Sequence, residues 1–443
     1  KCVAYSPASP DVLLDLESKG YTICKDEFAK LGMPTIRELF GEARAHEVVK
    51  PNEIQEKKKY GVGIVRRENV QKLYGSQLNL SASQVDRLAE CRFSYFLKYG
   101  LRLKERKSAT VDPAEFGTFV HAVLEKTGKD VKELGGFGQV SLEQTLDIAA
   151  KHAREYAQER FSELDSQRVS YLFSRNGQEL EMVVQELWQE LQASRFEPLD
   201  FEVAFGDGGA MPAVEISGSQ MQARLRGFVD RVDVWQEDGR NYYRVVDYKT
   251  GKKDFDYCDV FNGLGLQMLL YLFALEDASE EMLGKASKPA GVQYFPARVP
   301  MISADGVLTD EEAAVAREKA WKRKGLLLSD WDVLQAMESG ETPKRMGYTR
   351  NKEGVISGDV ATREQFGLLK KYLFYLLGKM VDEIASGAVT PNPYTRGSSH
   401  NACMFCPYGE VCHQSGVDGR RNYQAMNANW FWEQVEKEMR NRG

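Results

Sequence analysis

The sequence predicts an α/β fold, and three features of the hydrophobic pattern support this prediction. Between about residues 78 and 195, apolar side chains recur at the spacing of amphipathic helices. From about residue 200 the pattern changes to the two-residue alternation of β-strands. Beyond residue 260, helical and strand-like segments alternate along the chain. Strands with helices before and after them are typical of a sheet that is covered by helices.

The composition indicates a globular protein with ample material for a core. The chain has 443 residues, 42% of them hydrophobic, and this length suggests about three domains. No apolar run of about 18 residues occurs, so we expect no membrane span. No leader precedes the first polar stretch, and we expect a fragment or processed form of a cytoplasmic protein. The net charge of −6 argues against a protein that coats nucleic acid non-specifically, but it is compatible with a local basic groove.

Changes in patterning divide the chain into three segments. Residues 1–76 are weakly patterned, and we expect them to be the remnant of an upstream region. The main domain is expected over residues 77–415 and a helical tail over 416–443. The sequence contains no internal repeat and no low-complexity tract.

Helices are predicted on both sides of the strand-rich region. Ser81 and Gln84 have the spacing of a capping box, and an apolar stripe at helical period continues from them through Cys91. A second capping box is predicted at Thr362 and Gln365. The further helices are predicted over 115–130, 142–195 (two helices), 263–276, 310–325 and from Thr362 to Gly387.

Four strands are predicted in the middle of the chain, over 200–206, 222–235, 241–251 and 290–298. The second and third are joined by the sequence QEDGR, an Asp-Gly turn of the kind that closes tight hairpins. These two strands are therefore predicted to pair in antiparallel fashion.

Two carboxylates and a lysine on this hairpin form the strongest chemical signal. Asp230 lies in GFVDRVD on the first strand, and Asp247 and Lys249 lie in VVDYKTG at the end of the second. Residues two apart on a strand share a face, so Asp247 and Lys249 are expected to point the same way. An oxygen-rich pocket of this kind suits Mg²⁺, which could polarise a phosphodiester and activate water. A solvated hairpin face with ordinary charges is the alternative.

Three polar residues on apolar helical segments could join this site. His121 lies in FGTFVHAVLE; a lone histidine there is often a core residue, but beside a carboxylate pair a metal ligand is the better interpretation. Gln267 and Tyr271 are four residues apart on a strongly apolar helix and therefore share one face. Buried polar groups need partners, which the active site or a DNA phosphate would supply.

The seven cysteines separate into two groups. Cys2, Cys24 and Cys258 are scattered and are expected to be ordinary thiols. Cys403, Cys406 and Cys412 form a C-x2-C-x5-C motif in a loop rich in Pro, Gly and Ser. An odd total with a tight triplet is a poor disulfide framework and favours a metal or iron–sulfur site. Zinc held by thiolates is the direct competitor of an iron–sulfur cluster.

Three basic stretches are candidate DNA contacts in this acidic chain: residues 98–107, 316–324 and 344–352. Basic side chains interleaved with aromatic rings, here Trp321 and Tyr348, suit single-stranded nucleic acid, although any one stretch could be a solvated helix face. The candidate DNA-binding residues are Lys104, Arg106, Arg317, Lys319, Trp321, Lys322, Arg323, Lys324, Arg345 and Arg350.

The order of His121, Asp230, the D-Y-K-T-G motif and Gln267-x3-Tyr271 resembles that of the RecB-type PD-(D/E)xK nucleases. Cys91 before these motifs and three cysteines after them resemble the iron staple of the B subunits of AddAB-type helicase–nucleases. The resemblance covers roughly residues 78–415. It implies a PD-(D/E)xK core with a mixed sheet flanked by helices, large helical insertions, and a staple that joins the segments before and after the core.

The resemblance also implies roles for individual residues. Mg²⁺ would be bound by His121, Asp230, Asp247 and the Tyr248 carbonyl, with Lys249 as the catalytic lysine. Gln267 and Tyr271 would support the site, and a [4Fe-4S] cluster would be held by Cys91, Cys403, Cys406 and Cys412.

At the level of the whole protein, the resemblance implies a bacterial, cytoplasmic DNA nuclease. It would degrade single-stranded ends, with the 5′-ended strand favoured, beside a helicase–nuclease partner of AddA type in recombination and break repair. The segment 1–76 would then derive from a helicase-like region, but no G-x4-G-K-[ST] loop is present, so no ATP-driven activity is predicted. A DNA-end scaffold with a vestigial site and an iron–sulfur exonuclease of CRISPR adaptation remain as alternatives; the length of the chain disfavours the latter.

Overall fold

The computed structural model describes residues 65–104, 113–161, 166–206, 208–283, 285–304, 306–340, 342–397, 400–412 and 419–441. The chain divides into two compact units, Lys1–Val62 and Gly63–Gly443, and all described residues belong to the second. Residues 65–76 are part of this second unit, and the rest of the expected segment 1–76 falls outside the described residues. We number the elements in chain order.

The first described elements are short. They are α1 (Arg67–Tyr74), β1 (Gln77–Ser81), α2 (Ala82–Glu90), α3 (Arg92–Tyr95) and a π-helical turn (Phe96–Gly100). The predicted capping box is confirmed, because the Gln84 amide donates to Ser81 Oγ and the Ser81 amide donates to Gln84 Oε1. The predicted continuous helix through Cys91 is wrong: Cys91 is extended, with φ of −166°, and separates α2 from α3.

Three long helices form the predicted insertion before the strands: α4 (Pro113–Glu133), α5 (Leu142–Phe161) and α6 (Ser166–Gln192). They pack on one another, and α4 also contacts the sheet. Their apolar faces build a second core with side chains such as Val120, Leu124, Val183 and Leu187, which are fully buried.

The remaining elements alternate between strands and helices. They are β2 (Glu197–Phe205), β3 (Val214–Ser217), β4 (Gln222–Glu237), β5 (Arg240–Lys249), α7 (Tyr257–Phe261), α8 (Gln267–Leu283), β6 (Lys288–Pro296), α9 (Asp310–Ala320), β7 (Lys324–Leu328), α10 (Trp331–Met337), β8 (Tyr348–Arg350), β9 (Ile356–Gly358), β10 (Val360–Ala361), α11 (Arg363–Ala385), β11 (Tyr394–Thr395), α12 (Gly409–Cys412), β12 (Arg421–Asn422) and α13 (Ala428–Arg440).

The central sheet is mixed, as expected. Its main path runs β1-β4-β5-β6-β7-β10, and β2 and β3 also pair with β4. The pairs β1–β4, β5–β6 and β7–β10 are parallel, and the others are antiparallel. Asp238 and Gly239 both have positive φ, 50° and 76°, which the tight β4–β5 turn requires. The predicted hairpin is therefore confirmed.

Two predicted helices have different bounds. The helix expected over 310–325 ends at Ala320, and residues from Lys324 enter β7. The helix expected over 263–276 begins at Gln267 and continues to Leu283. The long helix after the Thr362–Gln365 capping box is confirmed as α11.

The C-terminal helix is part of the main core. Helix α13 packs on α11 and α7, and Phe431 and Val435 are fully buried. The expected tail over 416–443 is thus integrated into the domain where it is described. Among the described helices, none combines the length and the apolar character that a membrane crossing requires.

Candidate active site

The site lies where β4 and β5 cease to pair. The ladder between them runs from Glu237↔Arg240 to Arg231↔Val246, so Asp230 and Asp247 are the first residues beyond it. The Tyr248 amide donates a hydrogen bond to Asp230 Oδ2 at 2.5 Å. Because the N–H and C=O of a strand residue point to the same side, the Tyr248 carbonyl is directed toward Asp230 as well.

The side chains of Asp247 and Lys249 lie on the same side of β5 and form an ion pair. Lys249 Nζ lies 2.5 Å from Asp247 Oδ2. Asp247 is buried, whereas the Lys249 side chain is 35% exposed and reaches the surface of the site. The pairing that the two-residue alternation predicted is therefore present.

Helix α4 brings His121 to the same point. His121 Nδ1 lies 3.3 Å from Asp230 Oδ1, and the imidazole ring meets the Tyr248 ring edge to face. The predicted proximity of His121 to the carboxylates is present in the fold.

Glu202 is a site residue that the sequence analysis missed. It lies across from Asp230 on β2, between the paired residues Phe201↔Arg231 and Val203↔Val229. One ligand atom each from His121, Glu202 and Asp230 lie within 4.8 Å of one another. Glu202 also has a φ of 52°, a strained conformation for a non-glycine residue and one that is often found at functional sites. The sequence contains little signal for it, because β2 also carries Glu197 and Asp200 and no motif distinguishes Glu202 from them.

An open cavity of about 440 Å³ adjoins these ligands. It is lined by Gly117, Thr118, His121, Ala122, Glu125 and Glu202. Through this cavity, between α4 and β2, a substrate can reach His121 and Glu202.

Burial and mutual repulsion raise the pKa values of Glu202 and Asp247. Burial, followed by the charges of Asp230 and Glu125, raises the pKa of Glu202 to about 7. Burial raises the pKa of Asp247 to about 6 against the lowering effect of Lys249. Burial acts to lower the pKa of His121, but its hydrogen bond to Asp230 and the nearby carboxylates outweigh burial and raise it. A dense negative charge of this kind favours a bound cation.

Tyr271 supports the strand that carries Asp230. Its hydroxyl donates to the Arg226 carbonyl at 3.4 Å, and its ring stacks on Phe205. Its hydroxyl occupies the place where a side chain at Gly227 would stand, so the glycine permits this close approach. Gln267 is the first residue of α8, one turn before Tyr271, and is half-buried.

Cys91 lies more than 300 positions before the other three predicted cluster cysteines, Cys403, Cys406 and Cys412. All four are free thiols. Burial raises the pKa of the Cys403 thiol, and the charges of Cys91, Cys406 and Cys412 raise it further, as expected for neighbouring thiols. The Tyr408 hydroxyl donates to the Leu103 carbonyl at 3.3 Å and joins the cysteine loop to the chain after α3.

The basic stretches are only partly available at the surface. Lys104, Arg317, Lys319 and Lys324 are exposed, and Lys322 is half-buried. Arg350 is exposed, with its guanidinium 4.0 Å from the centre of the Trp331 ring. Arg106 lies outside the described residues.

The structure contradicts the prediction that Arg323 and Arg345 contact DNA, and it shows limited exposure of the aromatic residues Trp321 and Tyr348. Arg323 is buried and donates to Glu190 at 2.6 Å, and Arg345 donates to Gln189 at 2.6 Å. Tyr348 is 1% exposed, and Trp321 is half-buried against the second core. Arg323 and Arg345 are engaged inside the protein, and the Tyr348 ring is not available to stack on a base.

Comparison with known proteins places this arrangement in a family. Residues 79–413 match the PD-(D/E)XK nuclease superfamily. The chain belongs to this superfamily. The match begins before Cys91 and ends after Cys412, so it contains both the carboxylate site and the four cysteines. The resemblance inferred from the motifs and the predicted fold class are confirmed.

Curated relatives of the chain share one name, that of the B subunit of an ATP-dependent helicase/deoxyribonuclease. The relative from Moorella thermoacetica is 37% identical over 348 residues, which cover 77% of this chain and 30% of that protein. The relative from Desulforamulus reducens is 34% identical over 349 residues, again 77% and 30%. A Thermoanaerobacter relative is 31% identical over 395 residues, 86% and 34%. The chain therefore spans about a third of the length of these superfamily members.

Proposed function

We propose that this chain is a Mg²⁺-dependent DNA nuclease that hydrolyses phosphodiester bonds in single-stranded ends. The observation that carries the proposal is the convergence of Asp230, Asp247 and Lys249 with His121 and Glu202 beside an open cavity. Membership of the PD-(D/E)XK superfamily and the name deoxyribonuclease on the relatives support the same chemistry.

The donor set fits a hard divalent cation. Two carboxylates and an imidazole lie within 4.8 Å of one another, and a cation between the two carboxylates would offset their mutual repulsion. His121, Glu202 and Asp230 would hold the ion, with Asp247 and the Tyr248 carbonyl adjacent. When bound, Mg²⁺ supplies Lewis-acid polarisation of the phosphodiester and eases deprotonation of water.

The residues of the chain have separate roles around this ion. Lys249 is held by Asp247 at 2.5 Å and presents a positive charge at the surface of the site. There it orients the attacking water and stabilises the negative charge that grows on the phosphate oxygens. Asp247 keeps Lys249 in place, and the Tyr248 amide fixes the orientation of the Asp230 carboxylate.

The exposed basic residues are proposed to guide DNA toward the site. Lys104, Arg317, Lys319, Lys324 and Arg350 remain candidates, as does the half-buried Lys322, whereas Arg323 and Arg345 are excluded by their internal partners. Arg106 stays a prediction. Contacts from such side chains to phosphates would make the affinity for DNA fall as the salt concentration rises.

We further propose that the chain acts within a bacterial helicase–nuclease in the cytoplasm, beside an AddA-type partner, in the processing of double-strand breaks. The name of the relatives supports a helicase context, and the partner would present the 5′-ended strand to this site. Four neighbouring free thiols fit a [4Fe-4S] cluster held by Cys91, Cys403, Cys406 and Cys412.

The test is incubation of labelled single-stranded DNA with Mg²⁺ and either the wild type or Asp247→Ala. We expect degradation by the wild type and none by the variant or after chelation of the metal, with circular dichroism unchanged. Equal binding without cleavage by both proteins would support a DNA-end scaffold with a vestigial site and would overturn the proposal.

A further inference from the structure

An exposed aromatic ring borders the active site on the strand that carries Asp230. Phe228 lies two residues before Asp230 in β4 and is 58% exposed. Leu225 and Val229, on the other face of the strand, are buried in the main core. The Phe228 ring therefore lies on the side of the sheet where the Asp230 carboxylate meets His121.

The surroundings of Phe228 leave its ring open to a ligand. The residue directly across from it on β2 is Ala204, which is small. The preceding residue is Gly227, and the space beneath it is filled from the opposite face by Tyr271. Tyr271 thus supports the backbone from one face while Phe228 faces solvent on the other.

A cation precedes the ring on the same side of β4. Arg226 is two residues before Phe228, and its side chain lies against Gly206. A guanidinium, an aromatic ring and a metal-binding carboxylate therefore follow one another at two-residue spacing, roughly 7 Å per step. Alternating cations and rings are the arrangement that binds the phosphates and bases of single-stranded nucleic acids.

We propose that Phe228 stacks on a base next to the phosphate that is cleaved, and so selects single-stranded DNA. This inference rests on the proposed nuclease function and specifies how its single-stranded substrate is recognised. Bases in a duplex are stacked on each other and offer no free face to the ring. A phenyl ring has no hydrogen-bonding group, so the contact accepts any base and gives no sequence preference.

The test compares wild type, Phe228→Ala and Phe228→Tyr on single-stranded oligonucleotides, including a series with an abasic site at each position in turn. Leu134→Ala, which truncates another exposed apolar side chain after the end of α4, is the control. Phe228→Ala should raise KM roughly 5- to 100-fold with little change in kcat, and Phe228→Tyr should restore KM. One abasic position should weaken binding to the wild type but not to Phe228→Ala.

The outcomes separate this inference from the proposed function. Cleavage by the wild type that is insensitive to Phe228→Ala and to every abasic site would overturn base stacking and leave the nuclease standing. Binding with the expected abasic sensitivity but without cleavage would overturn the nuclease and leave the stacking contact standing. A loss of kcat in Phe228→Ala with KM unchanged would also contradict the stacking role.

Discussion

At the scale of single residues, the site depends on acids that are close together and poorly solvated. Glu202 and Asp230 face each other across two strands, and burial with the neighbouring charges raises the pKa of Glu202 to about 7. Its φ of 52° adds a conformational cost that persists only where the surrounding structure enforces it. A cation between these groups would relieve the repulsion.

Replacing Glu202 by Gln should therefore weaken metal binding. Because the change removes a charged ligand, we expect the Mg²⁺ concentration for half-maximal cleavage to rise by about 10- to 100-fold. Mutation of residues that only hydrogen-bond to metal ligands already weakens metal affinity by about this factor. Glu215→Gln is the control, since Glu215 is exposed and pairs with Arg224 on β3 and β4. An unchanged Mg²⁺ requirement in Glu202→Gln would remove this residue from the ligand set.

The sequence could predict Asp230, Asp247 and Lys249 because their relation is local. A tight hairpin and the two-residue alternation determine which side chains meet. Glu202 lies on a separate strand without a motif, so nothing local connects it to Asp230. Arg323 looked like a surface cation, and its burial depends on the packing of α6, which the local pattern does not report.

At the scale of elements, a buried ion network fastens helix α6 to the sheet beneath the site. Glu190 accepts hydrogen bonds from Arg231 and Arg323 at 2.6 Å, and Arg244 lies 3.4 Å away. Arg244 also donates to Asp233 at 2.7 Å. Arg231 directly follows Asp230, the proposed metal ligand, so the network holds the β4–β5 hairpin from the side of the helical insertion.

Removing Glu190 should destabilise the protein strongly. Glu190→Ala leaves buried guanidinium groups without a counter-charge, and we expect a loss of about 3–5 kcal/mol in the free energy of unfolding, measured with urea at pH 7. Glu436→Ala, which breaks an exposed pair with Arg440 on α13, should cost much less. Equal losses in the two variants would contradict the importance of the buried network.

The contribution of Glu190 should depend on pH in a defined direction. Burial acts to raise its pKa, but Arg323, Arg231 and Arg244 outweigh burial and hold the pKa well below its ordinary value. A depressed pKa stabilises the fold fully above the ordinary pKa of glutamate, about 4.3, and this stabilisation falls as the pH drops below it. The difference in the free energy of unfolding between wild type and Glu190→Ala should therefore decrease as the pH is lowered below about 4.

At the scale of the whole molecule, the proposed cysteine site would connect the two ends of the domain that carries the active site. Cys91 and Cys403 are 312 positions apart, and a crosslink between them would close almost the entire domain. By the loop-entropy model used for disulfides, such a closure is worth roughly 5–6 kcal/mol as an upper figure. Arg396, before the cysteine loop, also pairs with Asp256 at 2.7 Å, in the segment that follows β5.

Loss of one cluster cysteine should therefore remove colour and stability together. In Cys406→Ala we expect the brown chromophore to disappear and the melting temperature to fall, both measured after anaerobic purification. Cys258→Ala should retain the chromophore, because Cys258 lies outside the set of four. A colourless wild type that is no more stable than Cys406→Ala would contradict the iron–sulfur proposal. Zinc found by metal analysis would indicate a zinc site in its place.

Much of the architecture follows from the sequence pattern, and the exceptions have physical reasons. The hairpin, the capping boxes and the long insertion helices depend on local periodicity and were predicted. The short parallel strand β1 was missed, because its partner β4 lies more than a hundred positions away. The net charge of the chain, −6, likewise did not reveal that Arg231, Arg244 and Arg323 are buried.

The central claim is that Lys249 acts on the chemical step at a metal site formed by Asp230, His121 and Glu202. Its most direct test is the single-turnover cleavage rate of labelled single-stranded DNA at saturating Mg²⁺, compared between wild type and Lys249→Ala, with the Kd for DNA measured in parallel. We expect the rate of Lys249→Ala to be lower by roughly 10²–10³, with the Kd for DNA nearly unchanged. An unaltered rate in Lys249→Ala, or a loss explained entirely by weaker DNA binding, would contradict it.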